Sequence, residues 1–242
     1  MFKRILTIQA FILIIISQMV FAQDRVMAIH KNDGTYELLN VSDIDSLTFI
    51  ELPTDGDGNL YSTIKIGNQW WMAENLKATK YRNGETIQKV TDGPEWASLN
   101  VGETPAYCAY DNNETNADTY GYMYNWYAVN DSRNIAPVGW HVPTDSDWQE
   151  LSDFLGEYPG GILKETGTIH WSSPNFGASD ACGFTALPGG SRAASGYFSG
   201  KSNQAYFWAT NAVARGLSSS SNLLFLNTFS GRWGISVRCV RD

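Results

Sequence analysis

The run Gly139 to Phe154, Gly-Trp-His-Val-Pro-Thr-Asp-Ser-Asp-Trp-Gln-Glu-Leu-Ser-Asp-Phe, constrains this chain more than any other segment. Thr144 stands three residues before Asp147, so a hydroxyl and a carboxylate are placed to satisfy each other's backbone N–H groups at a helix start. Trp148, Leu151, Phe154 and Leu155 then recur at helical spacing until Gly156, where a helix can stop. The spacing predicts an aromatic-anchored turn leading into a sharply started helix with one apolar stripe. Trp148 is expected in the core, Trp140 and Thr144 in structural roles, and His141 as a hydrogen-bonded turn residue.

Other segments read as short elements. Asp24 to Ile50 alternates moderately about Asp33-Gly34 and predicts two or three strands, the last at Leu47-Thr-Phe49. Pro53 to Asn59 is rich in Gly and Asp and reads as a linker, so residues 23–52 form an N-terminal β element, 53–60 the linker and 61–242 the main domain. Thr63 to Ile66 and Gln69 to Met72 flank Gly67-Asn68 and predict a hairpin. Tyr120 to Val129 reads as a short helix carrying Tyr124, Tyr127 and Ala128 on one face. After Gly160, short apolar runs at 205–209, 223–226 and 235–240 read as strands joined by exposed loops.

The N-terminus predicts export. Lys3 and Arg4 precede the apolar run Ile5 to Ile16, and Val20-Phe-Ala22 offers small residues for cleavage after Ala22. That run is shorter than the ~20 residues a bilayer span needs, and no later segment is long and apolar enough. The expected location is therefore the periplasm, the cell surface or the medium, with no transmembrane segment after cleavage. Loss of Lys3 and Arg4 takes the formal charge from −8 to −10, which argues against nucleic acid as a partner.

Little assembled chemistry is visible. Cys108, Cys182 and Cys239 are an odd number in an exported chain, for which one disulfide between two of the three and one free thiol is the simplest outcome. No two lie at zinc-motif spacing. His30, His141 and His170 stand apart, and Gly189-Gly-Ser-Arg-Ala193 lacks the second Gly of a nucleophile elbow. Asp55-Gly-Asp57 opens like a calcium loop but has Leu60 and Ile66 where Gly and Glu are required. Asp111, Glu114 and Asp118 place hard oxygen ligands in one loop and are a weak Ca²⁺ candidate, more simply read as a solvated acidic loop. No catalytic residue and no other cofactor is expected.

Six ordered blocks carry a family resemblance: Asp57 to Tyr61, Ile66 to Lys77, Tyr120 to Val129, Gly139 to Leu151, Gly183 to Arg192 and Ser236 to Asp242. Together they resemble the Fibrobacter succinogenes major paralogous domain. The resemblance implies an α+β, C-type-lectin-like fold distantly related to formylglycine-generating sulfatase-modifying enzymes. It implies two short helices packed on a twisted, loop-rich antiparallel sheet, with N- and C-terminal strands close together. Asp43 to Phe49 resembles leader elements that precede such domains in exported proteins of Bacteroidetes-like bacteria. The chain departs from the family at Ala136, where many members carry Cys, and Cys182 is unusual at its place. The related enzymes use paired cysteines near the C-terminus, whereas Cys239 stands alone there.

Lectin-like domains present ligands to their C-terminal loops, where this chain carries Tyr197, Phe198, Tyr206, Asn211, Arg215, Arg232 and Trp233. Trp208 lies among them but is expected in the core. Flat rings and amides suit sugars or peptides, since a ring face stacks while amides and guanidinium groups meet hydroxyls and carbonyls. Arg192 and Arg238 are expected to hold structure through their planar forks. The resulting expectation is a non-catalytic exported binding or adhesion module for an extracellular glycan or protein. The alternative is a cell-envelope enzyme with altered sulfatase-modifying chemistry.

Overall fold

The structure, a computed structural model, describes residues 26–30, 35–41, 52–99 and 103–242. The expected leader, the Asp33-Gly34 turn and the Leu47 to Phe49 strand lie outside these residues. The chain divides into two units, residues 1–50 and 51–242. In the first, β1 (Val26–His30) pairs antiparallel with β2 (Tyr36–Asn40).

The second unit is α+β. Strand β3 (Thr63–Ile66) folds back on β4 (Gln69–Met72) through Gly67, whose φ of 60° is open to glycine at little cost. A side chain at Gly67 would also stand 3.0 Å from the Phe154 ring. Strand β14 (Val240–Arg241) lies between β4 and β8 (Trp140–His141), giving the order β3-β4-β14-β8. The short strands β5 (Gln88–Lys89), β6 (Ala106–Cys108) and β7 (Met123–Tyr124) form a second sheet. A pair, β9 (Ser191–Arg192) and β10 (Phe198–Ser199), and an antiparallel meander complete the strands: β11 (Gln204–Trp208), β12 (Val213–Ser218) and β13 (Phe225–Thr228).

Five short α-helices occur among the described residues, more than the two expected: α1 (Gly93–Ser98), α2 (Glu114–Tyr120), α3 (Trp126–Val129), α4 (Asp145–Leu155) and α5 (Pro159–Leu163). Helix α4 starts as the sequence dictates. The Thr144 side chain accepts from Asp147 N, the Asp147 carboxylate accepts from Thr144 N at 2.7 Å, and Gly156 ends the helix at φ 85°. Trp148 and Leu151 are fully buried, but Phe154 is 63% exposed and lies over Gly67 instead of entering the core.

Two further expectations are corrected. Residues 120–129 are not one helix. Gly121 turns at φ 73°, packed so tightly on Asn75 that a Cβ would stand 2.7 Å from that side chain, and Asn125 then caps the single turn of α3. Residues 53–60 are not a linker but a packed turn. Asp55 is buried, and its carboxylate accepts from Asp57 N, Asn59 N and the Tyr61 hydroxyl. The Asp57 carboxylate accepts from the Thr79 hydroxyl at 2.8 Å and Lys80 N at 3.1 Å, so both acids of the supposed calcium loop stitch the turn to the 79–80 segment and to Tyr61.

The core is built from large rings. Trp71, Trp148, Phe184 and Phe207 form one buried set, with Trp71 and Trp148 centroids 4.7 Å apart and Phe207 5.8 Å from Trp148. A second cluster gathers Tyr61, Tyr124, Trp140 and Trp208, and a third gathers Val90, Trp96, Cys108 and Met123. Burial of this much aromatic area, at ~25 cal/mol per Å², is what lets elements of two to eleven residues hold together.

Candidate recognition surface

The meander sets the geometry of the C-terminal loops. Its register places Tyr206 opposite Gly216 and Gly216 opposite Phe225, and in the neighbouring row Trp208, Ala214 and Asn227. Alternation sends Phe207 to the opposite side, into the cluster with Trp148. Gly216 leaves room here, since a Cβ would stand 3.0 Å from the Tyr206 ring and 2.5 Å from Asn227 Nδ2. Tyr206 therefore leans across its own sheet toward Phe229.

Phe229 is the centre of the surface. Its ring meets Tyr206 edge-on at 5.2 Å and stacks on Trp233 at 4.6 Å with 25° between planes. All three are half-buried, braced from below by Trp208. The loop that carries Phe229 and Trp233 is fixed to α3: Trp126 N donates to Gly231 O at 2.9 Å, and Gly231 lies against the Tyr127 ring. Arg192 pairs with both Phe198 and Gly234, and Ala193 N donates to Tyr197 O at 2.8 Å. That bond places Tyr197 in the turn between β9 and β10. Tyr197 is 77% exposed. The result is a cluster of three rings, Trp233, Phe229 and Tyr206, with Tyr197 exposed on the turn between β9 and β10.

The other expected binding residues do not join it. Phe198 packs on Tyr110 at 5.2 Å and over the Arg192 guanidinium. Arg232 Nη1 donates to Ala97 O at 2.9 Å, at the end of α1. Arg215 is drawn to the Asp145 carboxylate at the start of α4, and Asn211 is exposed at φ 69° in the turn between β11 and β12. Both arginines are thus held at a helix end, because each offers a guanidinium there an unshared carbonyl or carboxylate. Phe229, Trp126 and Tyr127 were missed. The signal was present for α3, whose aromatics belong to a recognised block, but Phe229 carries no motif.

Arg192 and Arg238 are both buried and hold carbonyls. Arg192 donates to Val90, Thr91, Asp92 and Gly196 carbonyls and lies between Trp96 at 4.5 Å and Phe198 at 4.8 Å. Arg238 donates to Asn75 Oδ1 and Phe184 O. A third buried cation had not been foreseen: Lys164 Nζ donates to the carbonyls of Phe176, Ser218 and Ser221 at 2.8–2.9 Å. Burial pulls it down to about 8, while three carbonyl acceptors favour the ammonium form.

The acidic loop is not assembled as a cation site. Glu114 accepts from Lys89 at 2.5 Å and from the Tyr122 hydroxyl at 2.7 Å, and these contacts hold its carboxyl below the ordinary range. Among the described residues no three His, Cys, Asp or Glu side chains converge as metal ligands, Asp111, Glu114 and Asp118 included. The expected disulfide is also absent: all three thiols are free. Cys108 is buried in the cluster around Trp96, Cys239 in the cluster around Tyr124, and Cys182 packs against the cluster around Trp148, so each sits in a different part of the core. Burial pushes Cys108 up to about 11 and Cys239 higher still. Ser191 is buried in β9, away from any role as a nucleophile.

The model of the Fibrobacter succinogenes major domain matches residues 64–241. The chain belongs to this family. No curated protein and no solved structure is similar enough to count as a match. The matched span runs from within β3 of the Fibrobacter succinogenes major domain through β14 and includes the ring cluster. It excludes the β1–β2 strand pair.

Proposed function

We propose that this protein is a non-catalytic exported binding module, with a C-type-lectin-like version of the α+β fold, that recognises a glycan through Tyr197, Trp233, Phe229 and Tyr206. The observation that carries the reading is the half-buried Phe229–Trp233 stack, flanked by Tyr206 and fixed by α3. Exposed ring faces on a rigid base stack against the apolar face of a pyranose at small entropic cost. The cationic side chains nearby are already engaged, Arg232 with Ala97 O and Arg215 with Asp145, which favours a neutral polar ligand over an acidic peptide. Export is supported by the basic, apolar and small-residue succession of residues 3–22.

The test is a glycan array probed with the purified protein beside Trp233→Ala. Selective glycan binding lost in the variant is the expected result. Binding to envelope proteins alone replaces the ligand class, and no selective binding overturns the reading.

A further inference from the structure

The meander ends on an open edge. Strand β11 is closed on its outer side, where Trp208 N donates to Ser236 O at 3.0 Å and Ser236 N to Tyr206 O at 3.2 Å, so Tyr206 and Trp208 turn their backbone groups away from β12. Across the β11–β12 turn Ala209 N donates to Val213 O at 2.9 Å, which makes Phe207 and Arg215 a hydrogen-bonded pair and leaves Ala214 and Gly216 to serve β13. Their partners Asn227 and Phe225 therefore face inward, and Leu226 and Thr228 send N–H and C=O outward. Among the described residues no backbone group meets Leu226, Thr228 or the preceding Leu224 on that side.

This edge carries none of the charges, prolines or bulges that commonly protect one. Residues 222–231 contain no charged residue and no Pro, and the register with β12 runs without interruption. Phe225 and Leu226 are 38% and 59% exposed, one on each face of the sheet. Such an edge accepts another strand. Its start is held in place by α5, from which Gly161 N donates to Asn222 O at 3.0 Å. Charge and register select the occupant. The chain has a net charge of −8, so two copies repel except where charge is locally absent, as it is along β13. The outward groups are also self-complementary, since a two-fold axis at Leu226 sets that residue against its own copy and Thr228 against the copy's Leu224, giving every outward N–H a C=O. We propose that β13 pairs antiparallel with β13 of a second copy of this chain, joining two meanders into one continuous sheet. The axis stands normal to that sheet, so both ring clusters lie on one side and can engage a repeating ligand together. The pairing itself does not rest on the glycan reading.

Sedimentation equilibrium of the purified protein over about 1–500 μM tests it, with the mass expected to rise from one chain toward two. In the same unmodified protein the amides of Leu226 and Thr228 should exchange more slowly at the top of that range than at the bottom, a readout that needs no variant to fold. Leu226→Glu brings two carboxylates together on the axis, at an exposed position across the strand pair from Arg215, and should weaken association at least about tenfold. Thr228→Pro removes an outward N–H that the ladder with β12 does not use, and should weaken it similarly. Trp233→Ala should associate as the parent does, which separates failure here from failure of the glycan reading. A single chain at every concentration, amide exchange at Leu226 and Thr228 that ignores concentration, or a pair that both edge variants leave intact each overturns the proposal.

Discussion

Trp233 lies nearly parallel to Phe229, with centroids 4.6 Å apart and planes 25° from each other, while Tyr206 meets the same Phe229 edge-on. One ring therefore positions two others. Phe229→Ala should release both neighbours, and Trp233→Ala should remove a single stacking face. Both variants should lose glycan binding by at least about tenfold, ~1.4 kcal/mol, with melting temperatures lowered more by the first than by the second. Array binding and calorimetric melting measure the two effects.

Trp148 is fully buried against Trp71, Phe184 and Phe207, and its indole N–H has no hydrogen-bond partner. Trp148→Ala should cost ~3–5 kcal/mol in a denaturant titration. Trp148→Phe should cost clearly less, because it removes the unpaired N–H together with part of the ring. Equal losses in the two variants would contradict this packing.

Lys164 holds three carbonyls with one ammonium group. Lys164→Met keeps the stem but strands those oxygens, and should destabilise the domain by about 3 kcal/mol. Limited proteolysis should then cut first within 172–178 or 218–222, the loops that the ammonium ties together.

Burial raises the Asp147 carboxyl, but hydrogen bonds from the Thr144 hydroxyl and N–H and from His141 outweigh it and leave it below the usual 3.8. A depressed carboxylate contributes stability that is complete above its unfolded value and is lost as pH falls through the folded one. Asp147→Asn should therefore be about 1 kcal/mol less stable than the parent at pH 7, and the difference should vanish toward pH 2. Urea titrations across pH 2–7 give the comparison.

All three thiols are free, and only Cys182 is half-buried. A thiol reagent should modify one cysteine per chain quickly in the native protein and three after denaturation. Reductant should leave the melting temperature unchanged, whereas a drop would reveal a disulfide.

How far the sequence foretold this molecule depends on how local each signal was. Thr144, Asp147 and Gly156 dictate α4, and Gly67 dictates the β3–β4 hairpin, because caps and tight turns act over three or four residues. The run 120–129 misled because contact with Asn75 enforces a turn at Gly121 that no local pattern announces, Met123–Tyr124 pairs as a strand, and only Trp126–Val129 is helical. Asp55 to Asn59 looked like a linker by composition, yet Asp55 finds Tyr61 and Asp57 finds Thr79. Within the recognition surface, Tyr206, Trp233 and Tyr197 were legible as loop aromatics. Phe229, which joins two of them, was not, since it follows β13 and reaches Tyr206 only through the pairing of β11, β12 and β13.

Strand β14 joins Trp71 on one side to His141 on the other through Val240. The four-stranded sheet is thus completed only when residues 240–241 insert between partners that stand far earlier in the sequence. Contacts so distant along the chain carry a large loop-closure cost, so β4 and β8 are bridged slowly compared with the local β3–β4 turn.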